Sequence, residues 1–129
     1  MTDRILTASR HVHASGTTVL TLTGDLDYHT APQLGRAVEE TPLGPDNNVV
    51  IDLTDLAYCD STGLTALITA YKQATGAGAR LVLAAPSAEL LRVFAIVGLD
   101  QLFTYQPTAD DAVKALGPHD ALSQGPLTT

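Results

Sequence analysis

The chain has 129 residues, 45% of them hydrophobic, with 14 acidic side chains against 7 basic ones and a formal charge of −7. That length gives one domain able to bury a core without staples, and the acidic balance weighs against a nucleic-acid partner, which needs a basic face. Cys59 is the single cysteine, so neither an intrachain disulfide nor a multi-cysteine metal site is available, and no apolar run approaches the ~20 residues that cross a bilayer.

The first residues lack the apolar stretch and cleavage site of a signal peptide, so the expected location is the cytoplasm. Residues 5–13 have weak strand character and residues 14–17 (Ala-Ser-Gly-Thr) signal a turn. Residues 18–23 are β-branched and apolar and complete a hairpin. Residues 24–29 read as a loop. Thr30 then opens a helix, with Gln33 three residues on as a capping box and Pro32 tolerated in the first turn. Leu34, Ala37 and Val38 form its apolar stripe, and Pro42 and Pro45 end it.

Residues 49–53 read as a strand buried on both faces. A short polar turn leads into a helix over residues 61–74, where Leu64, Leu67, Ile68 and Tyr71 follow a helical period. Residues 80–85 form a further strand. Ser87 caps a helix with Leu90, Leu91, Phe94 and Val97 inward, closed by Gly98. Residues 102–105 make a short last strand, and Thr108 with Asp111 opens a last helix with Ala112, Val113 and Leu116 inward. The order β, β-α, β-α, β-α, β-α predicts an α/β domain. Its sheet is mostly parallel, with about five strands, the first antiparallel, and about four helices. The domain spans residues 5–116, and residues 117–129 are expected to be a disordered tail.

The densest chemistry sits at residues 59–64, Cys-Asp-Ser-Thr-Gly-Leu, where a strand turns directly into a helix. Such a helix end presents free N–H groups and partial positive charge, which suits an anion. Ser61 and Thr62 place two hydroxyls there, able to recognise a phosphate or to accept one. Simple helix capping by Asp60, Ser61 and Thr62 explains the same residues. A catalytic Ser61 would need a base, for which His29 is the one candidate, and the Gly-x-Ser-x-Gly elbow is absent. Neither nucleotide-binding glycine motif is present, and the aspartates do not follow calcium-loop spacing. No cofactor or metal is expected. Cys59 reads as a small apolar residue or as a reactive thiol, and Asp25 and Asp27 as a solvated turn.

Three segments together resemble the anti-sigma factor antagonists of the bacterial STAS domain family. They are residues 23–31 (Thr-Gly-Asp-Leu-Asp-Tyr-His-Thr-Ala), residues 50–64 with Asp-Ser-Thr-Gly-Leu at the end, and, more weakly, residues 91–99 with Phe94 and Gly98-Leu99. The resemblance implies a STAS-type fold and a regulatory cycle without enzymatic activity. The unphosphorylated form binds an anti-sigma factor that is also a serine kinase, and a sigma factor is freed. That kinase uses ATP and magnesium to phosphorylate Ser61, and a PP2C-type phosphatase restores the serine. Asp27 matches the family's acidic residue near the phosphorylated serine. Asp25 stands where the family usually has Glu, and Thr65 where many members have a second Gly. Asp27, Asp60, Thr62 and Gly63 are expected to shape the loop around Ser61, with Thr62 a second acceptor candidate. The expected docking surface is residues 25–30, including Asp25 and Thr30, with the exposed side of the following helix at Thr65, Thr69 and Lys72. The alternative on the same fold is a sensor that binds an anion or nucleotide at the helix end.

Overall fold

The computed structural model describes residues 5–117. Strands β1 (Leu6–Val12) and β2 (Thr18–Leu26) form the hairpin; α1 (Ala31–Glu39), β3 (Val49–Cys59), α2 (Ser61–Gly76), β4 (Leu81–Ala84), α3 (Ala88–Val97), β5 (Thr104–Gln106) and α4 (Ala109–Leu116) follow. The sheet runs in the order β1-β2-β3-β4-β5, with β1 antiparallel to β2 and the remaining pairs parallel. The expected α/β class, strand number and lone antiparallel strand are therefore present.

Alternation along the strands divides the core in two. Leu20, Leu22, Ile51 and Leu83 face a cluster completed by Leu34 and Val38 of α1, Leu67 and Ala70 of α2, and Leu90 and Phe94 of α3. Val19, Val50 and Val82 point the other way, onto Ala112, Val113 and Leu116 of α4. Strands covered on both faces read as continuous apolar runs, which is why residues 49–51 are Val-Val-Ile. Tyr71 packs edge-on to Phe103 at 5.6 Å, a core contact.

Several boundaries differ from the sequence-based expectation. β2 continues through Leu26, and β3 through Cys59, well beyond residue 53. Gly24 and the polar residues after Leu53 read locally as breakers, but the two strands go on pairing as Thr23–Asp55, Gly24–Leu56, Asp25–Tyr58 and Leu26–Cys59, with register shifts that absorb two extra residues in β3. Gly24 itself has φ +108°, and a Cβ there would lie 2.2 Å from the Ile5 carbonyl oxygen, so only glycine lets the strand pass. The last strand begins at Thr104 rather than residue 102, because a 3₁₀ turn at Leu99–Gln101 precedes it. Val97, expected inward, is 55% exposed at the end of α3. Ser87 and Thr108 cap as expected, accepting from the N–H of Leu90 and Asp111 at 3.0 Å each. Of the expected tail, only Gly117 is among the described residues.

Candidate functional site at the amino terminus of the second helix

β2 and β3 run parallel and end side by side, so the helices that follow them begin at the same edge of the sheet. The Asp60 N–H donates to the Leu26 carbonyl at 3.2 Å, tying the two strand ends together. α2 starts at once. Asp60 is its cap: its Oδ1 accepts the Gly63 N–H at 2.8 Å, and its carbonyl accepts the Leu64 N–H at 2.9 Å. The three residues that all looked like caps are thus resolved. Asp60 alone does that work, and Ser61 and Thr62 occupy the first two helical positions with both side chains exposed. Their two N–H groups form no bond with any described residue, leaving an anion-friendly helix end at Ser61.

Gly63 is buried, and a Cβ at that position would lie 2.3 Å from the Leu26 carbonyl oxygen and 2.9 Å from Cys59 Sγ. The absent side chain is what lets α2 sit directly on the strand ends and hold Ser61 at the rim. Cys59 is half-buried beneath this turn. Burial and the Asp60 charge beside it push its thiol from 9.0 up to about 12. Both effects disfavour the thiolate, which is the reactive form.

The β2–α1 connection is built from Asp27 and Thr30. Asp27 is 4% and Thr30 1% exposed, so Asp27 is no solvated turn residue. Asp27 Oδ1 accepts the N–H groups of His29 and Thr30 at 3.0 and 3.1 Å. Thr30 Oγ1 accepts the Asp27 N–H at 2.9 Å and donates to the Asp25 carbonyl at 2.7 Å. The expected Thr30 capping box is therefore replaced: Thr30 turns back toward β2 and makes no cap bond to α1. The carboxylate of Asp27 takes the turn's N–H groups instead, as short polar side chains do in Asx turns. His29, the base proposed for a catalytic Ser61, stacks on the Tyr28 ring at 4.4 Å, and no hydrogen bond joins it to Ser61 among the described residues.

Thr65, Thr69 and Lys72 are exposed along α2. The hydroxyls of Thr65 and Thr69 donate back to the carbonyls of Ser61 and Thr65, at 3.0 Å each. The sequence reading missed the groove beside them. Between α1 and α2 lies a cavity of about 290 Å³ lined by Tyr28, Ala31, Gly35, Thr62, Ala66 and Thr69 among others, with no charged side chain in its lining. The signal was present: Ala31 with Gly35, and Ala66 with Ala70, put small residues four apart on two facing helices. Among the described residues no group of three or more His, Cys, Asp or Glu is placed to hold a metal ion, and no helix is long and apolar enough to cross a membrane.

Comparison with known proteins gives this arrangement a family. The family described as Mlab, STAS domain matches residues 9–104. Over 79 residues the chain is 37% identical to the anti-sigma-B factor antagonist of Listeria monocytogenes, covering 61% of this chain and 69% of that protein. It is 30% identical over 94 residues to the anti-sigma-B factor antagonist of Bacillus subtilis, covering 72% and 84%. The crystal structure of an anti-sigma factor antagonist from Mycobacterium paratuberculosis superposes with a TM-score of 0.72 at 29% identity, covering 87% of this chain and 94% of that one. A family match across most of the described fold, with relatives that share its sequence as well as its shape, places this chain in the STAS domain family.

Proposed function

We propose that this chain is an anti-sigma factor antagonist whose binding to an anti-sigma factor is switched off by phosphorylation of Ser61. The observation that carries the reading is the division of labour at α2: Asp60 caps the helix through the Gly63 N–H, and Ser61 stands exposed at a helix end whose first two N–H groups bond to no described residue. The relatives named anti-sigma factor antagonists support the class of partner. The unphosphorylated protein binds an anti-sigma factor and so frees a sigma factor. The anti-sigma factor is also a serine kinase; with ATP and magnesium it transfers the γ-phosphoryl group to Ser61 Oγ, and ADP leaves. A PP2C-type phosphatase hydrolyses the phosphoserine and returns the chain to its binding form. The chain itself is a binding module of the cytoplasm, not an enzyme, and residues 5–116 are its working domain.

Asp25, Asp27, Thr30, Asp60, Thr62 and Gly63 form the loop around the acceptor, and Thr65, with Thr69 and Lys72, extends the docking side along α2. A phosphoserine adds about −1.5 to −2 charge at neutral pH. At a helix N-terminus that charge favours the fold by roughly 0.3–1 kcal/mol when exposed. The same charge, next in the chain to the Asp60 carboxylate, makes burial against a partner without a matching cation costly. The switch therefore acts at the docking surface and leaves the fold in place.

The test is incubation of the purified protein with ATP, magnesium and candidate anti-sigma kinases, followed by intact mass and peptide mapping. Wild type should gain one phosphate on Ser61 and lose its complex, and Ser61→Ala should gain none. Absence of phosphorylation with every candidate, together with unchanged binding by Ser61→Asp, would overturn the reading and favour the anion or nucleotide sensor.

A further inference from the structure

We propose that β1 is a self-association edge, through which two copies of this chain join as an antiparallel strand pair with its two-fold axis at Ser9. β1 lies at one end of the sheet, and among the described residues only β2 pairs with it. In an antiparallel ladder, alternate residues turn both backbone groups toward the partner strand, and those between turn theirs away. The Asp25 N–H donates to the Ile5 carbonyl at 2.9 Å and the His13 N–H to the Thr17 carbonyl at 2.8 Å. The register between those two bonds is unbroken. The odd-numbered residues of β1 therefore bond to β2, and the N–H and C=O groups of Leu6, Ala8, Arg10 and Val12 face outward.

Exposed strand edges are usually blunted by shortness, proline, lysine, a bulge or an inward-pointing charge. β1 has seven residues, Leu-Thr-Ala-Ser-Arg-His-Val, with no proline, lysine or carboxylate, and its ladder carries no bulge. Its one permanent charge, Arg10, is turned to the Glu40 carbonyl at the end of α1. The opposite edge, β5, has only three residues.

A second β1 is the strand that fits. With the axis at Ser9, Leu6 faces Val12 of the second copy, and Ala8 faces Arg10. All four outward residues then exchange both of their bonds. Like charges do not face each other, which would be destabilising. Val12, 65% exposed in the single chain, gains an apolar neighbour. An axis at Arg10 would set two guanidinium groups opposite each other, and an axis at Ala8 would leave Val12 without a partner among the described residues. Pairing of β1 with β5 of another copy would be limited to three residues, and being head-to-tail it would build open chains rather than a closed pair.

The experiment is sedimentation of the full chain across a wide concentration range, with three variants. Ala8→Pro removes an outward N–H without touching the ladder to β2. Ser9→Cys and Thr7→Cys, each combined with Cys59→Ala, report register. At the axis the two Ser9 positions form a non-hydrogen-bonded pair with Cα atoms about 4.5 Å apart, within disulfide reach; the two Thr7 positions are kept apart, each opposite His11. Wild type should double in mass at high concentration, and Ala8→Pro should lose that doubling while keeping its folded circular-dichroism spectrum. Mild oxidation should link Ser9→Cys and leave Thr7→Cys at background. A wild type that stays monomeric throughout, a dimer indifferent to Ala8→Pro, or equal cross-linking at both cysteine positions would overturn the proposal. If Ala8→Pro does not fold, the contrast between the two cysteine variants decides alone.

Discussion

At the scale of single residues, the site depends on side chains that combine a structural task with a place near Ser61. Cys59 is the case with a titration consequence. In the fold its thiol is pushed up to about 12, with burial the larger cause and the Asp60 charge the smaller, against 9.0 for a free thiol. The folded chain therefore holds this proton more tightly than the unfolded chain. Stability from this group is complete below about pH 9 and is lost as the pH climbs toward about 12. Denaturation midpoints measured from pH 8 upward should fall for wild type more steeply than for Cys59→Ala. Alkylation of the native thiol near neutral pH should be slow, and should become fast on unfolding. Equal slopes for the two proteins would remove Cys59 from the account.

At the scale of elements, what matters is how closely α2 seats on the ends of β2 and β3. Gly63 permits that seating, because a Cβ there would strike the Leu26 backbone. Backbone cannot move aside as a flexible side chain can. Gly63→Ala should therefore lower stability, although alanine is the better helix former by about 1 kcal/mol. Overpacking of this kind costs about 1–3 kcal/mol, so a net loss is expected in urea denaturation, with the amides of residues 60–64 shifting most. By contrast Gly35, whose added Cβ meets nothing within 4 Å, offers a control: Gly35→Ala on α1 should be neutral or stabilising. A Gly63→Ala protein as stable as wild type would mean that α2 can lift off the strand ends freely.

At the scale of the whole molecule, the proposed phosphorylation site and the core are separate. The core is two apolar layers on the two faces of the sheet, and the Ser61 end is a rim of loops and helix starts outside both. Ser61 is exposed, and its N–H and that of Thr62 bond to no described residue, so a phosphate added there would have no buried contact among them to break. Backbone chemical-shift changes on phosphorylation should be confined to residues around 25–30 and 59–66, with the sheet and α4 unchanged. Shifts spread across β4, β5 and α4 would point to a conformational switch instead of a local electrostatic one.

The alternation of strands and helices, the antiparallel first strand and the inward faces of α2 and α4 were legible in the sequence, because each rests on local chemistry: apolar periodicity, turn residues and hydroxyl caps. The strand-to-helix turn that carries Ser61 was legible too, since Asp-Ser-Thr-Gly is a local pattern. Tertiary contact decided the rest. The lengths of β2 and β3 came from their pairing with each other across Gly24 and the register shifts, which no local propensity encodes. The role of Thr30 depended on which carbonyl and N–H it found on the end of β2, and the choice among Asp60, Ser61 and Thr62 as cap depended on how α2 meets the strand. The groove between α1 and α2, and the outward set of hydrogen-bonding groups on β1, exist only once neighbouring elements have been placed. A chain's own residues specify which elements form, but a surface is defined by what remains uncovered after they pack.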